Sequence, residues 1–146
     1  MYKTKNDMPE KVRSQVVTLL QERLADCTDL VTQAKQAHWN VKGPGFIALH
    51  ELFDKVYEHA GEYADLIAER IVQLGGIAEG TLRAAAKRSR LPEYPLTIAS
   101  GKEHVEMLSR TLAYFGETAR KAIDPEISRG VDKDLWFVEA HAQSDH

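Results

Sequence analysis

His50, Asp54, Asp65 and Glu69 stand at spacings of 4, 11 and 4 within one unbroken helical stretch, and no other pattern constrains the chain more. The stretch runs from Phe46 to a Gly75-Gly76 stop, and Gly43, Pro44 and Gly45 separate it from an earlier helix. At roughly 100° per residue the four side chains fall within an arc of about 100°, so imidazole and carboxylates share one long face. The His50/Asp54 and Asp65/Glu69 pairs have centres 15 residues apart. That is about 22 Å along a helix axis, too far for one helix to bring both pairs to one ion. A second copy running antiparallel, related by a twofold near residues 59 to 60, places His50 and Asp54 of one chain opposite Asp65 and Glu69 of the other. An isologous dimer then makes two equivalent sites. Gly61 lies on the same face near the crossing point, where a missing side chain lets two backbones approach. His38, about one turn before the loop, belongs to the same hairpin end as His50 and can complete the set. Such a cluster of carboxylates and imidazoles suits iron, manganese or zinc. The competing reading of any one His/Asp pair at i, i+4 is a solvated helix face.

A chain of 146 residues with 43% hydrophobic content fits one domain with a real core, taken here as residues 1–146 with 1–7 a short flexible tail. No run of 18 apolar residues occurs and the first residues lack the apolar stretch of a secretion signal, so a cytoplasmic protein without a membrane partner is expected. The single cysteine, Cys27, falls on an apolar stripe and reads as packing. A formal charge of −3 per chain repels DNA phosphates overall, so any DNA contact needs a local basic patch. Lys3 and Lys5, followed by Lys11 and Arg13, are the candidates, acting by avidity if many copies assemble.

Asp7 and Glu10 around Pro9 predict a capping box opening the first helix. Its apolar row is Val12, Val16, Leu20, Leu24, Cys27, Val31, Ala34 and His38. The second helix has a core row of Leu49, Phe53, Val56, Ala60, Tyr63, Ile67, Ile71 and Leu74, offset from the ligand face. A long connection follows, with a short helix over Thr81 to Arg88 and then Pro92 and Pro95. A link of that length lets the third helix run parallel to the second. The basic cluster Arg83, Lys87, Arg88 and Arg90 is expected to form structural salt bridges rather than a phosphate surface. Ser100 with Glu103 caps the third helix, which continues through Val105, Leu108, Leu112, Phe115, Ala119 and Ala122. Asp124 and Pro125 restart a fourth helix with the row Ile127, Val131, Leu135 and Val138. Trp136, Phe137 and His141 read as packing and surface residues. No Glu-x-x-His motif occurs, which argues against a diiron centre inside a single bundle.

The same residues carry a family resemblance. HWN at 38–40, GxxFxxLHELFD from Gly43 to Asp54, DxxAERxxxLGG from Asp65 to Gly76 and DKDLWFVEAH from Asp132 to His141 resemble the signature of the Dps proteins. These are small ferritin-like proteins of iron storage and DNA protection in starved bacteria. The resemblance covers nearly the whole chain. It implies an all-α, ferritin-like four-helix bundle with a short extra helix in the crossover between helices two and three. It also implies an intersubunit ferroxidase centre of His38, His50, Asp54, Asp65 and Glu69. His38, Asp65 and Glu69 match the tighter iron site, the histidine from one subunit and the carboxylates from its partner, and His50 and Asp54 match the weaker half. Trp39 matches a tryptophan set against the iron centre. The chain departs from the family at residues 122–130, a shorter link than usual. Either a tight turn at Asp124-Pro125 precedes the last helix, or the last two helices are continuous and exchange between subunits.

The function that follows is a ferroxidase. Two Fe(II) ions per intersubunit site, with Zn or Mn able to substitute, would be oxidised by hydrogen peroxide. Ferric mineral would then be stored in a hollow oligomer, a dodecamer in the family, protecting DNA. One rival is a DNA-compacting nucleoid protein with a weak or vestigial metal site, and another is a plain helical scaffold.

Overall fold

The computed structural model describes residues 1–122 and 125–143, with side chains described through residue 120 and from 130 to 142. Its helices are α1 (Glu10–Asn40), α2 (Phe46–Gln73), α3 (Leu82–Arg88), α4 (Gly101–Ala122) and α5 (Pro125–Gln143). Among the described residues there is no strand, and an isolated bridge joins Lys42 to Ser100. None of these helices is long and apolar enough to cross a membrane.

Contacts between helices give their directions. His38 meets His50, Cys27 meets Ala60 and Arg13 meets Leu74, so residue numbers rise on α1 as they fall on α2. Gln33 meets Thr111 and Lys42 N–H donates to Ala99 O, which sets α4 antiparallel to α1 and therefore parallel to α2. His59 meets Asp134 and Gly130 backs onto Tyr63, so α5 runs against α2. Arg120 Nη1 lies 2.7 Å from Asp132 Oδ1, folding α5 back on α4 within one chain. The all-α bundle with its parallel second and third long helices is thus as expected, and the continuous-helix alternative is excluded. Asp124 lies outside the described residues, as do the side chains of Ile127 and Ala122.

Local chemistry explains the ends. Ser100 and Glu103 form the full capping box: Glu103 N–H donates to Ser100 Oγ and Ser100 N–H to Glu103 Oε1, each at 3.1 Å. Thr81 Oγ1 accepts Ala84 N–H at 3.3 Å to start α3. The expected Asp7/Glu10 box does not form. Pro9 is itself the N-cap residue, with no side-chain cap, and Asn6 Oδ1 takes Met8 N–H instead. The loop before α2 turns at Gly43, with φ +116, and the stop after α2 at Gly75, with φ +90, both positions where an L side chain is strained. Gly75 is doubly fixed, because a Cβ there would meet the carbonyl oxygen of Tyr2, whose N–H donates to Gly75 O at 2.8 Å.

The core runs the length of the bundle. Phe53, Phe115, Leu24, Leu30, Ile67, Ile71, Leu108 and Leu112 are fully buried, each contributing about 1.5–3 kcal/mol. On α2 the expected row holds, with Tyr63 half-buried. On α1 the middle of the row holds, with Leu20, Leu24, Cys27 and Ala34 buried, but Val12 is exposed, Val16 and Val31 are half-buried, and Val17, Leu30 and Ala37 are buried in addition. Spacings of three and four fit either row, so periodicity alone does not choose between them. Cys27 is buried, its Sγ–H directed at Ala60 O, and burial pushes its thiol pKa up, in keeping with packing.

A polar seam on α1 straps down the crossover. Asp26 Oδ1 accepts Arg90 N–H at 2.8 Å, Asp29 Oδ2 accepts the Ser89 hydroxyl at 2.6 Å, and Gln33 Nε2 donates to Pro92 O at 3.0 Å. Of the basic cluster expected to form salt bridges, Arg88 pairs with Glu79 and Arg90 with Glu22 at 3.9 Å, while Arg83 and Lys87 are exposed with no ion pair among the described residues. Lys3, Lys5 and Lys11 are exposed. Arg13 is not a surface cation: it is buried, with Nη1 donating to Leu74 O at 2.8 Å and Nε to Met8 O.

Candidate metal centre

The α1–α2 hairpin places His38, in the last turn of α1, against His50, in the second turn of α2. Their rings stack with centroids 3.7 Å apart and planes 16° from parallel, and Phe46 stacks on His50 at 4.9 Å. The two histidines bond crosswise: His38 Nδ1 donates to His50 O at 2.6 Å and His50 Nδ1 to His38 O at 2.7 Å. A carbonyl oxygen can only accept, so both Nδ1 atoms carry the proton. In each neutral ring Nε2 is then the lone-pair nitrogen, oriented before any metal arrives.

Asp54 lies one turn beyond His50. Lys35 Nζ donates to Asp54 Oδ1 at 2.6 Å and sits 4.3 Å from the centre of the Tyr57 ring. The Lys35 hydrogen bond and charge, then the nearby His38 and His50, hold the Asp54 carboxyl below the usual range. His38, His50, Asp54, Glu51, Lys55 and Glu58 line one open cleft of about 410 Å³.

Asp65 and Glu69 lie further along the same face, both exposed and without a partner among the described residues. Gly61, between the two groups, faces open space. The structure therefore brings His38, His50 and Asp54 together and leaves Asp65 and Glu69 about 22 Å away along α2, as the helical rise requires. Among the described residues no three His, Cys, Asp or Glu side chains of the single chain could hold a metal ion. Trp39 is 64% exposed beside His38. His59, on the flank towards α5, is engaged by Asp134 at 2.8 Å.

Sequence reasoning missed Lys35, Glu51 and Glu58. Lys35 had a signal: three residues before His38 it shares that residue's face, and the antiparallel register that pairs 38 with 50 carries 35 to 54.

Four long helices with a strapped crossover make a bundle of the ferritin-like class, and a family model described as Ferritin-like domain matches residues 17–125. A DNA protection during starvation protein of Agrobacterium fabrum is 42% identical, over 97% of this chain and 96% of its own length. The protein so named in Mycolicibacterium smegmatis is 36% identical over 94% and 82%. Among solved structures, the tetragonal form of Mycobacterium smegmatis Dps has a TM-score of 0.89 at 32% identity, covering 97% of this chain and 93% of that one. This chain belongs to the Dps family of ferritin-like proteins.

Proposed function

We propose that this chain is an iron-sequestering ferroxidase whose sites lie between two subunits. His38, His50 and Asp54 of one chain would face the partner subunit's Asp65 and Glu69 across a twofold near residues 59 to 60, close to Gly61, and the dimers would build a hollow dodecameric cage. The observation that carries this reading is the crosswise histidine pair, which leaves two Nε2 lone pairs in one cleft with Asp54. Imidazole nitrogen with carboxylate oxygen suits Fe(II), and Zn(II) or Mn(II) would bind the same donors. Two Fe(II) ions enter as substrate. Each gives up one electron, the O–O bond of hydrogen peroxide takes both and breaks, and water supplies the remaining oxygen of the ferric oxyhydroxide with release of protons. Pairing the electrons avoids freeing a hydroxyl radical. Cytoplasmic ferric storage of this kind would protect DNA, in line with the name the relatives carry. Trp39, exposed beside His38, would take up a stray oxidising equivalent.

The test is the double variant Asp65→Ala/Glu69→Ala. It should lose rapid peroxide-dependent Fe(II) oxidation in stopped flow while keeping its circular dichroism. Unchanged kinetics would overturn the assignment.

A second reading, DNA compaction with a weak metal site, draws on the exposed Lys3 and Lys5. It requires plasmid retention that falls steeply with salt and disappears when residues 1–6 are removed.

A further inference from the structure

A third histidine has its proton placed by a neighbour, and it lies away from the cleft of His38, His50 and Asp54. His59 is nine residues past His50 on α2, which sets it about 180° round the helix from that ligand, on the side that α5 covers. Its Nδ1 lies 2.8 Å from Asp134 Oδ1, and Asp134 is only 4% exposed. The Tyr63 hydroxyl donates to the same carboxylate, from a phenol so close to α5 that a Cβ on Gly130 would overlap its oxygen. A carboxylate that accepts from both groups leaves Nδ1 of His59 as the protonated nitrogen and Nε2 as the lone pair. The imidazole is 41% exposed, so the edge away from Asp134 is open to water while the ring is held from behind. A strap between α2 and α5 needs no more than the Nδ1 bond. One turn on, however, stands Glu62, exposed and without a partner among the described residues. Side chains three apart on a helix are surface neighbours, about 5–6 Å between Cβ atoms, a span that one ion can bridge.

The geometry points to a mononuclear transition-metal site at His59 Nε2 and Glu62, oriented by the buried Asp134 and separate from the intersubunit cleft. Imidazole nitrogen with carboxylate oxygen takes a first-row divalent ion such as Zn(II), Cu(II) or Fe(II). A carboxylate behind the imidazole fixes the ring and makes Nε2 the stronger donor. With two protein ligands, water fills the remaining positions, so the ion is held less tightly than in a closed structural site. A lone Fe(II) there has one electron to give and no second iron beside it, so the site stores a metal ion without serving the two-electron reduction of peroxide. The assignment does not depend on the ferroxidase reading.

Zinc(II), which is redox-inert, is the probe, and the assembled Asp65→Ala/Glu69→Ala protein is the background, because it lacks the carboxylates of the other centre. Crystals soaked in zinc should show anomalous density at His59 Nε2, on the side of Glu62. In calorimetry His59→Gln should lose one zinc per chain, and Glu62→Gln should weaken that zinc. Asp134→Asn, which leaves both ligands in place, should weaken it about tenfold. Tyr63→Phe removes only the other donor to Asp134 and should bind as the background does. A zinc count unchanged in His59→Gln, or zinc bound equally well by Asp134→Asn and Glu62→Gln, would overturn the site and leave the dyad a strap between helices. Neither result bears on peroxide-dependent iron oxidation in the wild type. Melting curves in chelator establish that each variant is folded before it is titrated, and Glu62→Gln, a change on the surface, carries the test if Asp134→Asn does not fold.

Discussion

His38 and His50 each donate Nδ1–H to the other's main-chain oxygen, at 2.6 and 2.7 Å. The two bonds do two things at once. They lock the register of the α1–α2 hairpin at its loop end, and they settle which nitrogen of each ring carries the proton. Nitrogen-detected NMR of the two rings should find the proton on Nδ1 at both residues. His38→Gln and His50→Gln would assign the signals. An Nε2–H tautomer at either residue contradicts the crosswise arrangement.

The proposed sharing of each site between two chains has a stoichiometric consequence. In a dimer of a His50→Ala chain with an Asp65→Ala chain, one site carries both lesions and the other carries neither. Random mixing makes half the dimers heterodimers, so co-assembly of two inactive variants should restore roughly a quarter of wild-type Fe(II) oxidation. Sites contained within single chains would restore nothing.

Much of this was readable in the residues and some was not, for physical reasons. The shared face of His50, Asp54, Asp65 and Glu69 on α2 was legible because one helix fixes the angular and axial positions of its own side chains. Residues 50, 54, 65 and 69 could therefore be placed without knowing what α2 packs against. The capping box at Ser100 and Glu103 was legible because it is local. The one expected at Asp7 and Glu10 failed because Arg13, drawn inward by the Leu74 and Met8 carbonyls, and Asn6, which caps Met8, set the entry of the chain instead. Arg13 thereby left the basic patch to which charge counting had assigned it. The α1 row held at Leu20, Leu24, Cys27 and Ala34 but not at its start, because Val12 and Val17 fit the period equally well and the packing partner chooses. Lys35 needed the inter-helix register, which a single helix does not display.

The seam from α1 to the crossover should govern how tightly residues 89–92 are held. Gln33 is buried, donating to Pro92 O and accepting from the Thr111 hydroxyl at 2.9 Å. Gln33→Ala would strand Pro92 O and leave the Thr111 hydroxyl only the Met107 carbonyl at 3.2 Å, a destabilisation of about 1–3 kcal/mol. Hydrogen exchange should report it as faster amide exchange at Arg90 and Leu91, with the mid-helix amides of α2 much less affected. Uniform acceleration throughout would mean that the seam merely supports global stability.

His104 should give the bundle a pH limit on its acid side. It is 1% exposed, bonded through Nδ1 to the Tyr94 hydroxyl at 2.6 Å and packed near Phe53, and burial lowers its pKa below the ordinary histidine value despite the nearby Glu103. Above the ordinary value of about 6.5 the ring is neutral in both folded and unfolded chains, and the full stability is present. As pH falls below it, the unfolded chain takes up a proton that the folded chain resists, so stability drains until the depressed folded pKa is reached. The melting temperature of the wild type should therefore fall between about pH 6.5 and 5. His104→Gln retains a polar group for Tyr94 but does not titrate, and its melting temperature should fall less over the same interval. Equal slopes for the two proteins would show that the acid-side loss originates elsewhere.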